Sequence, residues 1–185
     1  MIILASASPR RRQLLKKIVK KFRVVISQVE ESSIKAATPA RLAEKLALAK
    51  ALDVAASHPQ ATIIGADTIV VLGNKILGKP RHKKEAAAML RSLSNKTHKV
   101  ITGLAIVIGK KRLVFHETTY VSMKALSQAD IQFYVDSGKP LDKAGAYGIQ
   151  EIEALFVDKI KGDYDNVVGL PTLKLKKRLN SVGPL

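Results

Sequence analysis

The chain begins Met1-Ile-Ile-Leu-Ala-Ser-Ala-Ser-Pro-Arg-Arg-Arg12, a short strand followed at once by a helix. Met1 to Ala5 is apolar and reads as a buried strand. Ser8 then suits the N-cap and Pro9 the first helical position, where the missing proline N–H needs no partner. Leu14, Leu15, Ile18, Val19 and Phe22 continue at helical spacing, so the helix is expected to run on towards Phe22. Arg10, Arg11 and Arg12 therefore fall in the first turn. That end of a helix repels cations and attracts anions. Three arginines beside unpaired backbone N–H groups make an anion trap, and phosphate is the fitting guest. A solvated basic face accounts for Lys16, Lys17, Lys20 and Lys21. It accounts less well for Arg10 and Arg11, because local rules tend to be broken at functional sites.

Outward from this β-α opening, strands and helices alternate. Arg23 to Ser27 reads as a strand, and Thr38-Pro39 opens a helix running to about Ala56. Ala61 to Leu72 is an apolar, β-branched strand. Gly73-Asn74 turns it back into a short strand at Lys75 to Leu77. Pro80 to Leu93 reads as a helix. Lys99 to Ile108 and Arg112 to Met123 are strands joined across Gly109-Lys110. Ser127 and Asp130 resemble a capping box for a helix that stops at Gly138. A loop over Ala144 to Gly148, a strand over Leu155 to Ile160, a turn over Gly162 to Asn166 and a last helix opened by Pro171 complete the reading. The expected class is α/β with a mixed sheet, one domain over residues 1–185.

The 185 residues are 46% hydrophobic, enough for a substantial core. No run of ~20 apolar residues offers a membrane span. The N-terminus lacks the pattern of a signal peptide. Zero cysteines exclude disulfides and thiolate zinc sites. A cytoplasmic protein with no membrane partner is the expectation. Thirty-two Lys and Arg against fifteen Asp and Glu give a net charge of +17, which favours polyanionic ligands. Zero Trp and 4% aromatics argue against base stacking on single-stranded nucleic acid.

Four motifs bear on chemistry. Gly73-x-x-x-x-Gly78-Lys79-Pro80 nearly matches the phosphate-binding P-loop but lacks the hydroxyl that would meet Mg²⁺, and its glycines belong to a hairpin. Lys79 could still meet a phosphate from the head of the next helix. Gly65-Ala66-Asp67-Thr68 puts a carboxylate inside the most apolar stretch, where an unpaired charge is expensive. Glu30-Glu31 follow the second strand, and such carboxylates can hold a hard cation, although on their own a solvated acidic loop explains them better. The four histidines lie at least sixteen residues apart and have no metal-ligand spacing.

Taken together, these segments resemble the Maf family of nucleoside triphosphate pyrophosphatases. The match is carried by Leu4-Ala-Ser-Ala-Ser-Pro-Arg-Arg11, Gly65-Ala-Asp-Thr68, Gly78-Lys-Pro80, Thr102-Gly103, Asp142-Lys-Ala-Gly-Ala-Tyr-Gly-Ile-Gln150 and Asn166-Val-Val-Gly-Leu-Pro171. The resemblance implies an elongated Maf/ITPase-like α/β fold, with a mixed central sheet and a cleft between two lobes. It implies a reaction in which water attacks the α-phosphorus of a nucleoside triphosphate with a divalent cation (Mg, Mn or Co), giving the monophosphate and pyrophosphate. Asp67 would accept the proton from water, with Glu31 and Asp67 on the metal. Lys50 and Lys79 would face the triphosphate, Ser8, Arg10 and Arg11 would bind phosphates, and Thr68 and Gln150 would line the base pocket. A homodimer is implied as well.

The segment ending at Gln150 looks like the subgroup acting on dTTP and UTP, with the 7-methyl-GTP subgroup second. A different class of protein, a non-catalytic basic regulator of septum formation or a nucleic-acid binder, is the alternative. Two positions depart from the pattern: Glu30-Glu31 where the family often has Asp-Glu, and Glu151 where the subgroup usually has glycine.

Overall fold

The computed structural model describes residues 1–182, so the end of the expected 1–185 domain lies outside the described residues. Strand β1 (Ile2–Ala5) leads directly into helix α1 (Pro9–Lys16). Ser8 caps that helix, its hydroxyl accepting from the Arg11 N–H at 3.4 Å, with Pro9 in the first turn. The helix ends at Lys16, six residues short of the expected Phe22. Beyond Lys16 the chain would stack Lys16 over Lys20 and Lys17 over Lys21, like charges one turn apart, and like pairs at that spacing disfavour helix.

Strand β2 covers only Arg23–Val24, not the expected Arg23 to Ser27, and pairs parallel with the four-residue β1 at the sheet edge. Helix α2 (Pro39–Ser57) starts at the expected cap, Thr38. Strand β3 (Thr62–Leu72) pairs parallel with β1 and antiparallel with β4 (Lys75–Leu77) across the Gly73 turn. Gly73 sits at φ 59°, the left-handed region such turns require. The near-P-loop is therefore a hairpin, as its glycines imply.

Helix α3 (Lys83–Leu93) is capped by His82, three residues later than expected, because residues 80–82 remain extended or bent. Strands β5 (Thr97–Ile108) and β6 (Lys111–Met123) follow, then α4 (Gln128–Asp136), capped by Ser127 as expected. Residues 149–156 form helix α5 (Ile149–Phe156), so the expected strand at Leu155 begins only with β7 (Val157–Lys161). Ile149, Ile152 and Phe156 are buried at helical spacing. The expected turn at Gly162 to Asn166 gives way at Tyr164 to a short helix, α6 (Tyr164–Val168), and α7 (Thr172–Val182) follows Pro171.

The strands form one mixed sheet in the order β2-β1-β3-β5-β6-β7, with β4 added beside β3. The chain divides into two compact units. The first holds Met1–Thr68, Ile101–Glu117 and the segment from Asp165 onward; the second holds Ile69–Val100 and Thr118–Tyr164. In the first unit, Ile3, Ala5, Ala47, Ala51, Val54, Ile63, Ala105 and Val107 make one buried cluster. Helix α2 comes unusually close to the sheet there. A Cβ on Gly65 would stand 2.1 Å from the Ala47 carbonyl oxygen, and one on Gly103 would stand 2.2 Å from that of Ala43. No described helix is long and apolar enough to cross a membrane.

Candidate active site

Strand β3 carries Asp67 into the interior of the first unit, where the residue is only 8% exposed. A carboxylate so placed must be paired. Its partner comes from α2: Lys50 Nζ donates to Asp67 Oδ1 at 2.7 Å. The same ammonium lies 2.8 Å from Glu31 Oε1. The contact geometry of Gly65 explains the reach, since α2 rests on β3 two residues before Asp67.

The loop after β2 delivers Glu31. The Asp53 carboxylate on α2 accepts from the Gln28 N–H at 2.8 Å, and Lys45 donates to the Lys35 carbonyl at 3.0 Å, so the loop is tied to α2 on both sides of the glutamate. Glu30 and Glu31 have different roles. Glu30 accepts from the Ser32 hydroxyl through its side chain and from the Ser33 hydroxyl through its carbonyl. Glu31 opens a single 3-10 turn and turns its carboxylate to Lys50, remaining about half exposed.

A second cluster surrounds Arg11. Its Nε donates to the Gly169 carbonyl at 2.9 Å, 158 residues away in sequence. One terminal nitrogen donates to the Ser6 hydroxyl at 3.3 Å and the other to the Thr68 hydroxyl at 2.9 Å. Thr68 shares a further hydrogen bond with Thr102, which donates to the Asn166 carbonyl at 3.0 Å. Burial lowers the Arg11 pKa from its ordinary value. The Asp67 charge opposes that, Arg10 adds to it and Glu31 opposes it again. Arg11 is thus a fixed cation in the field of both carboxylates, tying α1 to β3 and to the segment before α7.

Of the residues anticipated from sequence, Ser8, Arg10, Arg11, Glu31, Lys50, Asp67 and Thr68 all belong to the first unit. Glu31, Lys50 and Asp67 meet directly, as do Arg11 and Thr68. Ser8 caps α1 by accepting through its hydroxyl, and Arg10 follows in the first turn. Lys79 and Gln150 belong to the second unit. Lys79 is exposed in the connection between β4 and α3, not at a helix head. Gln150 is exposed in the first turn of α5. Ser6, Thr102 and Gly169 have no role in the sequence beyond their places in motifs. Gly169 lies 158 residues from Arg11, and a partner so distant leaves no local signature.

As a place for a divalent cation, the site offers two hard oxygen donors, Glu31 and Asp67, converging on one ammonium. Among the described residues no group of three or more His, Asp or Glu side chains could hold a metal alone. Two carboxylates suit a small hard cation that fills its other positions with water and phosphate oxygens.

A family model described as Maf-like protein matches residues 1–182. A protein of Symbiobacterium thermophilum named dTTP/UTP pyrophosphatase is 48% identical over 182 residues, covering 98% of this chain and 94% of that one. One of Desulforamulus reducens bearing the same name is 48% identical over 184 residues, covering 98% and 96%. The solved Ham1 protein of Staphylococcus aureus superposes with a TM-score of 0.56 at 18% identity, covering 98% of this chain and 99% of that one, which shows a shared fold.

Proposed function

The chain belongs to the Maf-like protein family, and from that premise we propose that it is a nucleoside triphosphate pyrophosphatase acting on dTTP and UTP. The observation that carries the reading is Lys50 bridging Asp67 and Glu31 in a chain whose relatives bear that name. In the proposed reaction water forms a bond to the α-phosphorus, the bond from that phosphorus to the bridging oxygen breaks, and pyrophosphate leaves. Asp67 is the group placed to take the proton of the attacking water. Its burial keeps bulk water from competing, and Lys50 neutralises it between turnovers.

Glu31 and Asp67 are the residues that would hold a divalent cation (Mg, Mn or Co). Bound there, the cation supplies positive charge to phosphate oxygens and acidifies water. The remaining charge of the triphosphate falls to fixed cations of the first unit, Lys50, Arg10 and Arg11. Arg11 needs no rearrangement to act, because three hydrogen bonds already hold its fork. The Ser8 hydroxyl accepts from the backbone as a cap and can still donate its proton to an oxyanion. Gln150, with a donor and an acceptor on one carboxamide, suits the imide edge of uracil or thymine. Thr68 contributes to base recognition in this reading. The enzyme works in the cytoplasm, as a homodimer.

The test is pyrophosphate release from dTTP, UTP, CTP, GTP and 7-methyl-GTP with Mg²⁺, Mn²⁺ or Co²⁺. Turnover of dTTP and UTP is expected. Turnover of 7-methyl-GTP alone would keep the chemistry and overturn the base assignment. No turnover of any of them by folded protein would overturn the enzyme reading.

A further inference from the structure

The segment Asp142-Lys-Ala-Gly-Ala-Tyr-Gly-Ile-Gln150 contains a lysine that no step of the proposed reaction uses. Lys143 is 7% exposed, and an ammonium that deep needs several partners. It has three. Nζ donates to the Lys139 carbonyl at 2.6 Å and to Asp142 Oδ1 at 2.6 Å, and lies 3.2 Å from Glu151 Oε1. The other oxygen of Glu151 accepts from the Tyr134 hydroxyl at 2.6 Å. That hydroxyl in turn accepts from the Gly148 N–H at 3.1 Å.

These bonds close a circuit around Gly148, the residue that caps α5. The space is full: a Cβ on Gly148 would stand 2.7 Å from Lys143 Cε and 3.1 Å from Glu151 Cδ. Gln150 lies between the two pinned residues, two after Gly148 and one before Glu151. Its own side chain is exposed in the first turn of α5, so the backbone beneath it sets where the carboxamide starts from. Glu151 places a carboxylate directly after Gln150. Both of its carboxylate oxygens are engaged within the circuit, which accounts for a charge beside a residue assigned to base recognition.

We propose that Lys143, Glu151 and Tyr134 are positioning residues that aim Gln150 and thereby set the preference for pyrimidines with an imide edge over cytosine. The proposal rests on the reading of Gln150 as a base-recognition residue. Recognition by hydrogen bonds depends steeply on placement, and misplacement of ~1 Å by a remote change can cost up to ~100-fold in rate.

The experiment measures kcat and KM for UTP and CTP with the full chain. The variants are Tyr134→Phe, Glu151→Gln, Gln150→Ala and the double Tyr134→Phe/Gln150→Ala. Tyr134→Phe removes one oxygen and keeps the ring. It is expected to lower the UTP-over-CTP preference roughly 10-fold, chiefly through KM for UTP, with kcat changed less than about 2-fold. Glu151→Gln can still accept from Tyr134 and is expected to retain more of the preference, and it carries the test if Tyr134→Phe fails to fold. The double variant should lose no more preference than Gln150→Ala alone, since both act through one contact. Equal losses for UTP and CTP in Tyr134→Phe, or additive losses in the double variant, would overturn the positioning role and leave Gln150 its function. An unchanged preference in Gln150→Ala would overturn the base-recognition reading itself, and the positioning role with it.

Discussion

Lys50 of α2 and Asp67 of β3 stand 2.7 Å apart, on consecutive elements joined by residues 58–61. Two predictions turn on this pair. Asp67→Asn keeps the shape and removes the proton acceptor. Pyrophosphate release from dTTP should fall about 100- to 10,000-fold, while circular dichroism remains that of the native protein. Wild-type turnover in this variant would sink the mechanism.

Lys50→Met should destabilise the fold, because Asp67 keeps its charge and loses its partner. A cost of about 2 kcal/mol is expected in urea unfolding. Adding Asp67→Asn should recover most of it, and a simple sum of the two single effects would show that the ion pair is not what is being measured.

Glu31→Gln tests the cation. One of two hard donors loses its charge, so the Mg²⁺ concentration for half-maximal rate should rise roughly 10-fold, with much of the rate regained at high Mg²⁺. An unaltered Mg²⁺ titration would remove Glu31 from the metal site.

Arg11→Lys should cost stability as well as activity. A lysine cannot span Ser6, Thr68 and Gly169 as the guanidinium fork does. A drop of about 2 kcal/mol is expected from the acceptors left behind. Loss of activity with unchanged unfolding would make Arg11 a phosphate ligand alone.

His98 in β5 predicts the acid limb of stability. The ring is 1% exposed and meets the Tyr147 hydroxyl at 2.6 Å through Nε2, while Nδ1 has no hydrogen-bond partner. Burial pushes its pKa down to about 4. The unfolded chain therefore binds a proton near pH 6.5 that the folded protein refuses. Stability from this group is complete above about pH 6.5 and declines as pH falls towards 4, where the folded ring also protonates. The ceiling on that loss is roughly 3 kcal/mol. In His98→Gln the unfolding midpoint should vary less between pH 6.5 and 4.5 than in the wild type. Glu44 acts lower. Burial alone would raise its pKa, but hydrogen bonds from His116 and Arg41 lower it below the usual carboxylate range, so its contribution persists until below about pH 4.5.

The β-α opening was legible because every local signal agreed: apolar run, serine cap, proline at the first turn. Where signals competed, the sequence misled. The apolar pattern Leu14 to Phe22 continued past the point where stacked lysines end α1. Ile149, Ile152 and Phe156 have helical period, but the glycines at 145 and 148 and the apolar run Ala154-Leu-Phe-Val157 masked α5. The site was legible as residue types, above all the aspartate in an apolar strand. Its geometry was not. Nothing local to Glu30-Glu31 tells that Ser32 and Ser33 claim the first and Lys50 the second. Nothing near Arg11 names Gly169.

Gly65 and Gly103 leave no room for a single carbon between α2 and the sheet. The separation of acid and ammonium is therefore a property of layer thickness, set where no charge is present. Four methylenes on Lys50 cover that gap because two methyl groups are missing beneath the helix. An alanine at position 65 would alter no ionisable group, yet it would lift the helix and lengthen a 2.7 Å contact two residues up the strand. For a designer moving this chemistry to another scaffold, the quantity to copy is the spacing of the two layers, with the charged residues added afterwards.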